Sequence, residues 1–130
     1  MKESSRRKIL LVEDDKFISR AYGDGLKRAG FEVTIATNGK EALEKMSNEP
    51  PQLLLLDLVM PIMNGFEVLE EINLSSIFKK IPIIVLSNLG QESDVKKAKE
   101  LGAVDYLIKS NLSMKQVIEK VKFYIAKSNT

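Results

Sequence analysis

The chain has 130 residues, enough for one domain with a single substantial core, and its 44% hydrophobic and 29% charged residues fit a folded, soluble domain. Twenty basic against eighteen acidic residues leave a net charge of +2, too little to argue for nucleic acid. With no cysteine and no histidine, disulfides, thiolate chemistry, zinc sites and histidine-based triads are excluded.

From the N-terminus, MKESSRRKILL has no apolar stretch of signal-peptide length before its first acids. No later apolar run is long enough to span a bilayer, so a cytoplasmic protein without a membrane partner is expected. KILLVED (8–14) reads as the first strand, followed by helical spacing of Ile18, Ala21, Tyr22, Gly25, Leu26 and Ala29, with Gly30 as a stop. EVTIAT (32–37) is the second strand, and Asn38 with Glu41 opens the next helix. LLLLDLV (53–59) is the third strand, and Asn64 with Glu67 caps the helix behind it. IPIIVLS (81–87) and AVDYLIK (103–109) complete the strands, with Gly102 ending the helix between them. A last helix starts at Ser113 with Gln116 and repeats Met114, Val117, Ile118, Val121 and Ile125. Strands of nearly continuous Leu, Ile and Val suit a parallel sheet covered on both faces. Five βα units with short loops predict a doubly wound five-stranded parallel α/β sandwich spanning 1–130, with polar tails at 1–7 and 128–130.

Ligands of such sheets bind beyond the carboxyl ends of the strands. Those ends carry Glu13, Asp14 and Asp15, then Asp57, then Ser87 and Asn88, then Lys109. Four leucines lead directly into Asp57, although burying an ionised carboxylate without a partner costs several kcal/mol, roughly. The leucines anchor a strand whose acid emerges at the mouth of a polar site. Clustered carboxylates call for a hard divalent cation, Mg²⁺ foremost and Mn²⁺ as a substitute. Lys109 supplies a point positive charge and Ser87 a hydroxyl for a phosphoryl oxygen. No glycine-rich phosphate cradle is present, which disfavours a nucleotide and leaves a carboxylate as phosphoryl acceptor. Taken singly, Asp14 and Asp15 read as helix caps, Lys109 as a solvated lysine, and Tyr106 as a packing residue.

The set Glu13-Asp14, Asp57 followed by Met60-Pro61 and Gly65, Ser87, and Lys109 with Tyr106 three before it resembles the receiver domain of two-component response regulators over residues 8 to 127. The resemblance implies strand order 2-1-3-4-5, a flavodoxin-like (βα)5 fold. It implies Asp57 as the acceptor of a phosphoryl group from a sensor histidine kinase or a histidine phosphotransfer protein. Asp14, Asp57 and the backbone carbonyl of Val59 would ligate Mg²⁺, and Glu13 would hold a metal-bound water. Lys109 would pair with Asp57 and then with the phosphoryl oxygen. Ser87 would swing toward that oxygen and Tyr106 would move inward, remodelling the face of the fourth helix, fifth strand and fifth helix for a downstream protein target. A phosphorylation-dependent dimer through that face is compatible with this reading.

Two positions, Ser110 and Asn88, depart from the family pattern. Ser110 follows Lys109 where a proline after a cis bond is usual; a non-proline cis bond costs about 2.5–4 kcal/mol, so the loop is either trans and reshaped or strained. Asn88 stands where a small residue is common, so it either narrows access or adds a hydrogen bond. Val59 and Leu89 flank the pocket, are apolar and cannot orient a water, which predicts a long-lived aspartyl phosphate. The alternative function is a degenerate receiver acting as an unphosphorylated interaction module. A flavodoxin-like cofactor binder would need loop aromatics, and there is no tryptophan. A phosphatase with an aspartyl nucleophile would carry a second acid where Val59 stands. The chain is either a stand-alone regulator or a domain of a longer one; the initial Met and the polar end SNT favour the first. No direct nucleic-acid contact is expected.

Overall fold

The leucine run 53–56 enters the core whole: all four side chains are fully buried. Burial of each is worth about 1.5–3 kcal/mol. Because successive strand residues point to opposite faces, Leu54 and Leu56 join one apolar cluster and Leu53 and Leu55 the other. Leu10, Val12, Ile83 and Val85 repeat the first side, and Ile9, Leu11, Ile84 and Leu86 the second. A sheet so loaded must be covered twice.

The computed structural model describes residues 6–128, so the expected tails at 1–7 and 128–130 lie largely outside the described residues. The order is β1 (Lys8–Val12), α1 (Lys16–Arg28), β2 (Glu32–Ala36), α2 (Gly39–Asn48), β3 (Leu53–Leu56), α3 (Gly65–Asn73), β4 (Ile83–Ser87), α4 (Glu92–Glu100), β5 (Asp105–Ile108) and α5 (Met114–Ser128). Short 3₁₀ turns at Phe78–Lys80 and Lys109–Asn111 precede β4 and α5. All strands are parallel in the order β2-β1-β3-β4-β5. Helices α2, α3 and α4 contribute Ala42, Val68 and Ala98 to one apolar cluster, while α1 and α5 contribute Leu26 and Val121 to the other. The expected doubly wound sandwich and strand order are both present.

Capping chemistry places the helices. Asn64 and Glu67 form a complete capping box on α3. Ser113 and Gln116 exchange the same two backbone bonds ahead of α5, at 2.8 and 3.2 Å. On α2 the Asn38 side chain accepts from Glu41 N–H, but Glu41 reaches past it to the Thr37 amide. Gly30 and Gly102 adopt φ of 102° and 109°, the left-handed conformation that ends α1 and α4. Two details differ from the sequence expectation. Ala21 faces solvent, and Ser19 and Gly23 take its place on the inner face of α1. The strands are also shorter than expected: β1 and β3 end before Glu13 and Asp57, while β4 and β5 begin two residues into their runs, at Ile83 and Asp105.

Candidate functional site

Leaving the ladder early is what builds the site. Glu13 and Asp57 each stand one residue beyond their strands, still tied by backbone N–H groups: Glu13 to the Ala36 carbonyl at 2.9 Å, Asp57 to the Val12 carbonyl at 3.0 Å. The chain then turns, and the two carboxylates face one cleft with Asp14, Asp15, Ile18, Val59, Ser87, Asn88, Leu89 and Lys109. Both are nearly buried, Glu13 at 3% and Asp57 at 6% exposure, so neither is a solvated surface acid.

The reason this burial is tolerable is visible in their partners. Asp57 Oδ1 accepts the N–H of Leu58 at 2.7 Å and, more weakly, that of Val59 at 3.4 Å. Its Oδ2 accepts from Lys109 Nζ at 3.1 Å. The same ammonium donates to Glu13 Oε1, while Glu13 Oε2 accepts the Asp15 N–H at 3.1 Å. Burial pushes the Glu13 carboxyl above the ordinary range, with the Asp57 charge adding to it and Lys109 and the Asp15 amide opposing. Burial alone would lower Lys109, but its bonds to Glu13 and Asp57 outweigh that and hold the ammonium above its ordinary value.

Glycine lets the turn come this close. A Cβ at Gly65 would lie 2.3 Å from the Asp57 carbonyl oxygen and 2.8 Å from Leu58 Cα, so only glycine can start α3 against the acid. The same loop contains Ile62 at φ 68°, a left-handed β-branched residue, with Met63 N–H bonded to the Pro61 carbonyl at 2.7 Å in a tight three-residue turn. The Met63 carbonyl then accepts the Gly39 N–H at 2.9 Å, which pins the turn to the start of α2.

Glu13, Asp14 and Asp57 each present a carboxylate oxygen, all within 4.8 Å of one another. Three anionic oxygens at that spacing, one of them exposed Asp14, suit a hard divalent cation. Asp15 is the N-cap of α1, its Oδ1 accepting from Phe17 and Ile18 at 2.9 and 3.0 Å, so the capping role belongs to Asp15 and Asp14 is left for the cleft.

On the opposite wall, Ser87 is buried and its Oγ accepts the Leu89 N–H at 3.3 Å. The Leu89 carbonyl in turn accepts the Tyr106 hydroxyl at 2.5 Å. Tyr106 is half-buried, and burial, with Asp94 and Asp57 adding, raises its phenol to about 12. The Lys109–Ser110 bond is trans, since no described peptide bond is cis. Lys109 opens a 3₁₀ turn, and the Ser110 N–H, which a proline would lack, donates to Asn88 Oδ1 at 3.1 Å. Of the two outcomes expected at Asn88, the added hydrogen bond is present.

The structure therefore brings Glu13, Asp14, Asp57, Val59, Ser87 and Lys109 to one cleft, with Tyr106 one hydrogen bond behind Leu89. Sequence reasoning missed the Glu13–Lys109 pair, which joins residues 96 apart, and the Leu89 carbonyl, which has no side-chain signal. It also missed Ile62, whose type argues against a left-handed backbone.

Fold and cleft together define a parallel α/β sandwich with an acid cluster and one lysine at the carboxyl edge of its sheet. The sequence matches the response regulator receiver domain over residues 9–122, and the chain belongs to that family. It is 34% identical over 122 residues to the alkaline phosphatase synthesis transcriptional regulatory protein PhoP of Bacillus subtilis, covering 94% of this chain and 50% of that protein. Against the response regulator RR06 of Streptococcus pneumoniae it is 38% identical over 117 residues, covering 90% of this chain and 52% of the relative. The chain thus spans about half the length of the curated relatives it matches. A CheY-like receiver domain from Methanospirillum hungatei superposes with a TM-score of 0.89 at 28% identity, covering 96% of this chain and 98% of that one. The Mn(2+)-bound form of response regulator Rcp1 has a TM-score of 0.77 at 37% identity, covering 88% of each chain. As a family, such receivers interact with histidine kinases and downstream targets in two-component signalling. Among the described residues no helix is long and apolar enough to cross a membrane.

Proposed function

We propose that Asp57 accepts a phosphoryl group from a phosphohistidine on a sensor kinase or a histidine phosphotransfer protein, in the cytoplasm. The observation that carries this is the placement of a nearly buried Asp57 beside Lys109 Nζ, at 3.1 Å, with two further carboxylates within reach of one cation. A carboxylate oxygen of Asp57 attacks phosphorus; the new O–P bond forms as the P–N bond breaks, and the electron pair leaves on the imidazole nitrogen. Backbone N–H groups of Leu58 and Val59 fix the carboxylate for this attack. Lys109 exchanges part of its pairing with Asp57 for the incoming phosphoryl oxygen.

Glu13, Asp14, Asp57 and the Val59 carbonyl would hold Mg²⁺, or Mn²⁺ in its place. When bound, the cation supplies positive charge against the carboxylates and the phosphoryl oxygens. The switch would run through main chain: Ser87 Oγ donates to the phosphoryl oxygen, Leu89 shifts with it, and Tyr106 follows the Leu89 carbonyl. That shift alters the face formed by α4, β5 and α5, where a downstream protein target, or a second copy, would bind.

Phosphoryl uptake from acetyl phosphate, read by intact mass with and without Mg²⁺, tests the reading. Mg²⁺-dependent uptake that disappears in Asp57→Asn is the expected result. A folded wild-type protein that gains no mass under any condition would favour the unphosphorylated interaction module.

A further inference from the structure

Two residues directly beside the reacting groups are joined to each other. Asn88 follows Ser87, and Ser110 follows Lys109; the Ser110 N–H donates to Asn88 Oδ1 at 3.1 Å across 22 residues of sequence. The bond ties the end of β4 to the 3₁₀ turn that carries Lys109. Within the turn itself the bonding is weak, since its N-cap, Ile108, makes no side-chain capping bond and Leu112 N–H meets the Lys109 carbonyl only at 3.5 Å. The turn is otherwise held by the Lys109 ion pairs and by Leu112 packing on the core.

The demands on the turn are high. Lys109 must keep one ammonium on two nearly buried carboxylates. A long lysine side chain has considerable rotamer entropy, so where its backbone points decides how often the ammonium reaches both. Asn88 suits the task because its amide has an acceptor at one end, while its side chain lines the cleft. Because an N–H must meet an oxygen, the contact fixes the amide orientation: Oδ1 faces Ser110, and Nδ2 is directed away from it.

We propose that Asn88 is a positioning residue for phosphoryl transfer, clamping the Lys109 turn through Ser110 N–H. This rests on the phosphotransfer reading above. Asn88 does not touch the phosphorus; it acts through Lys109. In a trans Lys109–Ser110 linkage the amide hydrogen is available, and the side chain at 88 turns it into a tether between two loops.

The test uses the whole chain as wild type, Asn88→Ala and Asn88→Asp, the last keeping an oxygen where Oδ1 stands. Three quantities are read: amide exchange at Ser110 by NMR, phosphoryl uptake from acetyl phosphate with Mg²⁺, and the thermal midpoint. Asn88→Ala is expected to speed Ser110 exchange and slow uptake by about threefold to tenfold each, the range one ordinary hydrogen bond commands. Asn88→Asp is expected to keep the Ser110 amide protected, and all three proteins to melt within about 5 °C of one another. Unchanged Ser110 exchange in Asn88→Ala overturns the tether, as does loss of protection in Asn88→Asp. Faster exchange with unchanged uptake overturns the positioning role. Failure of the underlying phosphotransfer reading looks different: wild type itself takes up nothing, and the positioning role falls with it, whatever Ser110 does.

Discussion

Helices α3 and α4 flank the same face of the sheet, yet they are held very differently. α3 opens with a full capping box and buries Gly65, Val68, Leu69 and Ile72. α4 has no side-chain cap and buries one residue, Ala98. Its lateral tie to α3 includes Lys97, whose ammonium sits 4.5 Å from the centre of the Phe66 ring. The helix that follows the acid is thus locked in place, and the helix that follows Leu89 is lightly anchored. The difference teaches where this molecule can afford motion: little at Asp57, more at α4.

The comparison is broken most severely at Gly65. Gly65→Ala places a Cβ 2.3 Å from a backbone oxygen that cannot step aside. A loss of about 2–4 kcal/mol is expected in urea titration, and a neutral result would mean α3 is not locked. Next in size is the chemistry at the rim. A Val59→Asn, Leu89→Glu double variant adds groups that can orient a water, and the phosphoryl lifetime is expected to fall about tenfold or more. An unchanged lifetime, followed by mass after removal of the donor, would sink the role assigned to these apolar residues.

Ala98→Gly sharpens the contrast. It removes the buried methyl of α4 and weakens the helix, by about 1 kcal/mol. Amides of α4 are expected to exchange several-fold faster while those of α3 do not change; equal acceleration in both would erase the distinction. The smallest effect belongs to α2, where the Thr37 amide, foremost, holds the Glu41 carboxyl below its ordinary 4.5. Its contribution is present above pH 4.5 and is lost as pH falls through the lowered folded value. Glu41→Gln is expected to cost about 0.5 kcal/mol at neutral pH and to remove that slope in acid unfolding.

Much of this was legible in the sequence because apolar runs and caps report burial and helix entry directly. Leu53–Leu56, the Asn64–Glu67 box and the strand-end acids are of that kind. Strand ends were not, since hydrophobicity records who is buried and not who is hydrogen-bonded: Leu58 is 2% exposed yet lies outside β3. The Glu13–Lys109 pair depends on how the outer strand β5 is brought alongside the sheet, which no local pattern encodes. At Ile62 the residue contradicts its own backbone, and the turn is imposed by Met63 and Gly39 around it.

Leu89 joins Ser87 to Tyr106 with its own N–H and C=O, not with its side chain. Every amino acid supplies that carbonyl, and every one except proline supplies that N–H. Mutational drift at position 89 can therefore retune the rim of the cleft generation after generation while the wiring behind it is inherited intact.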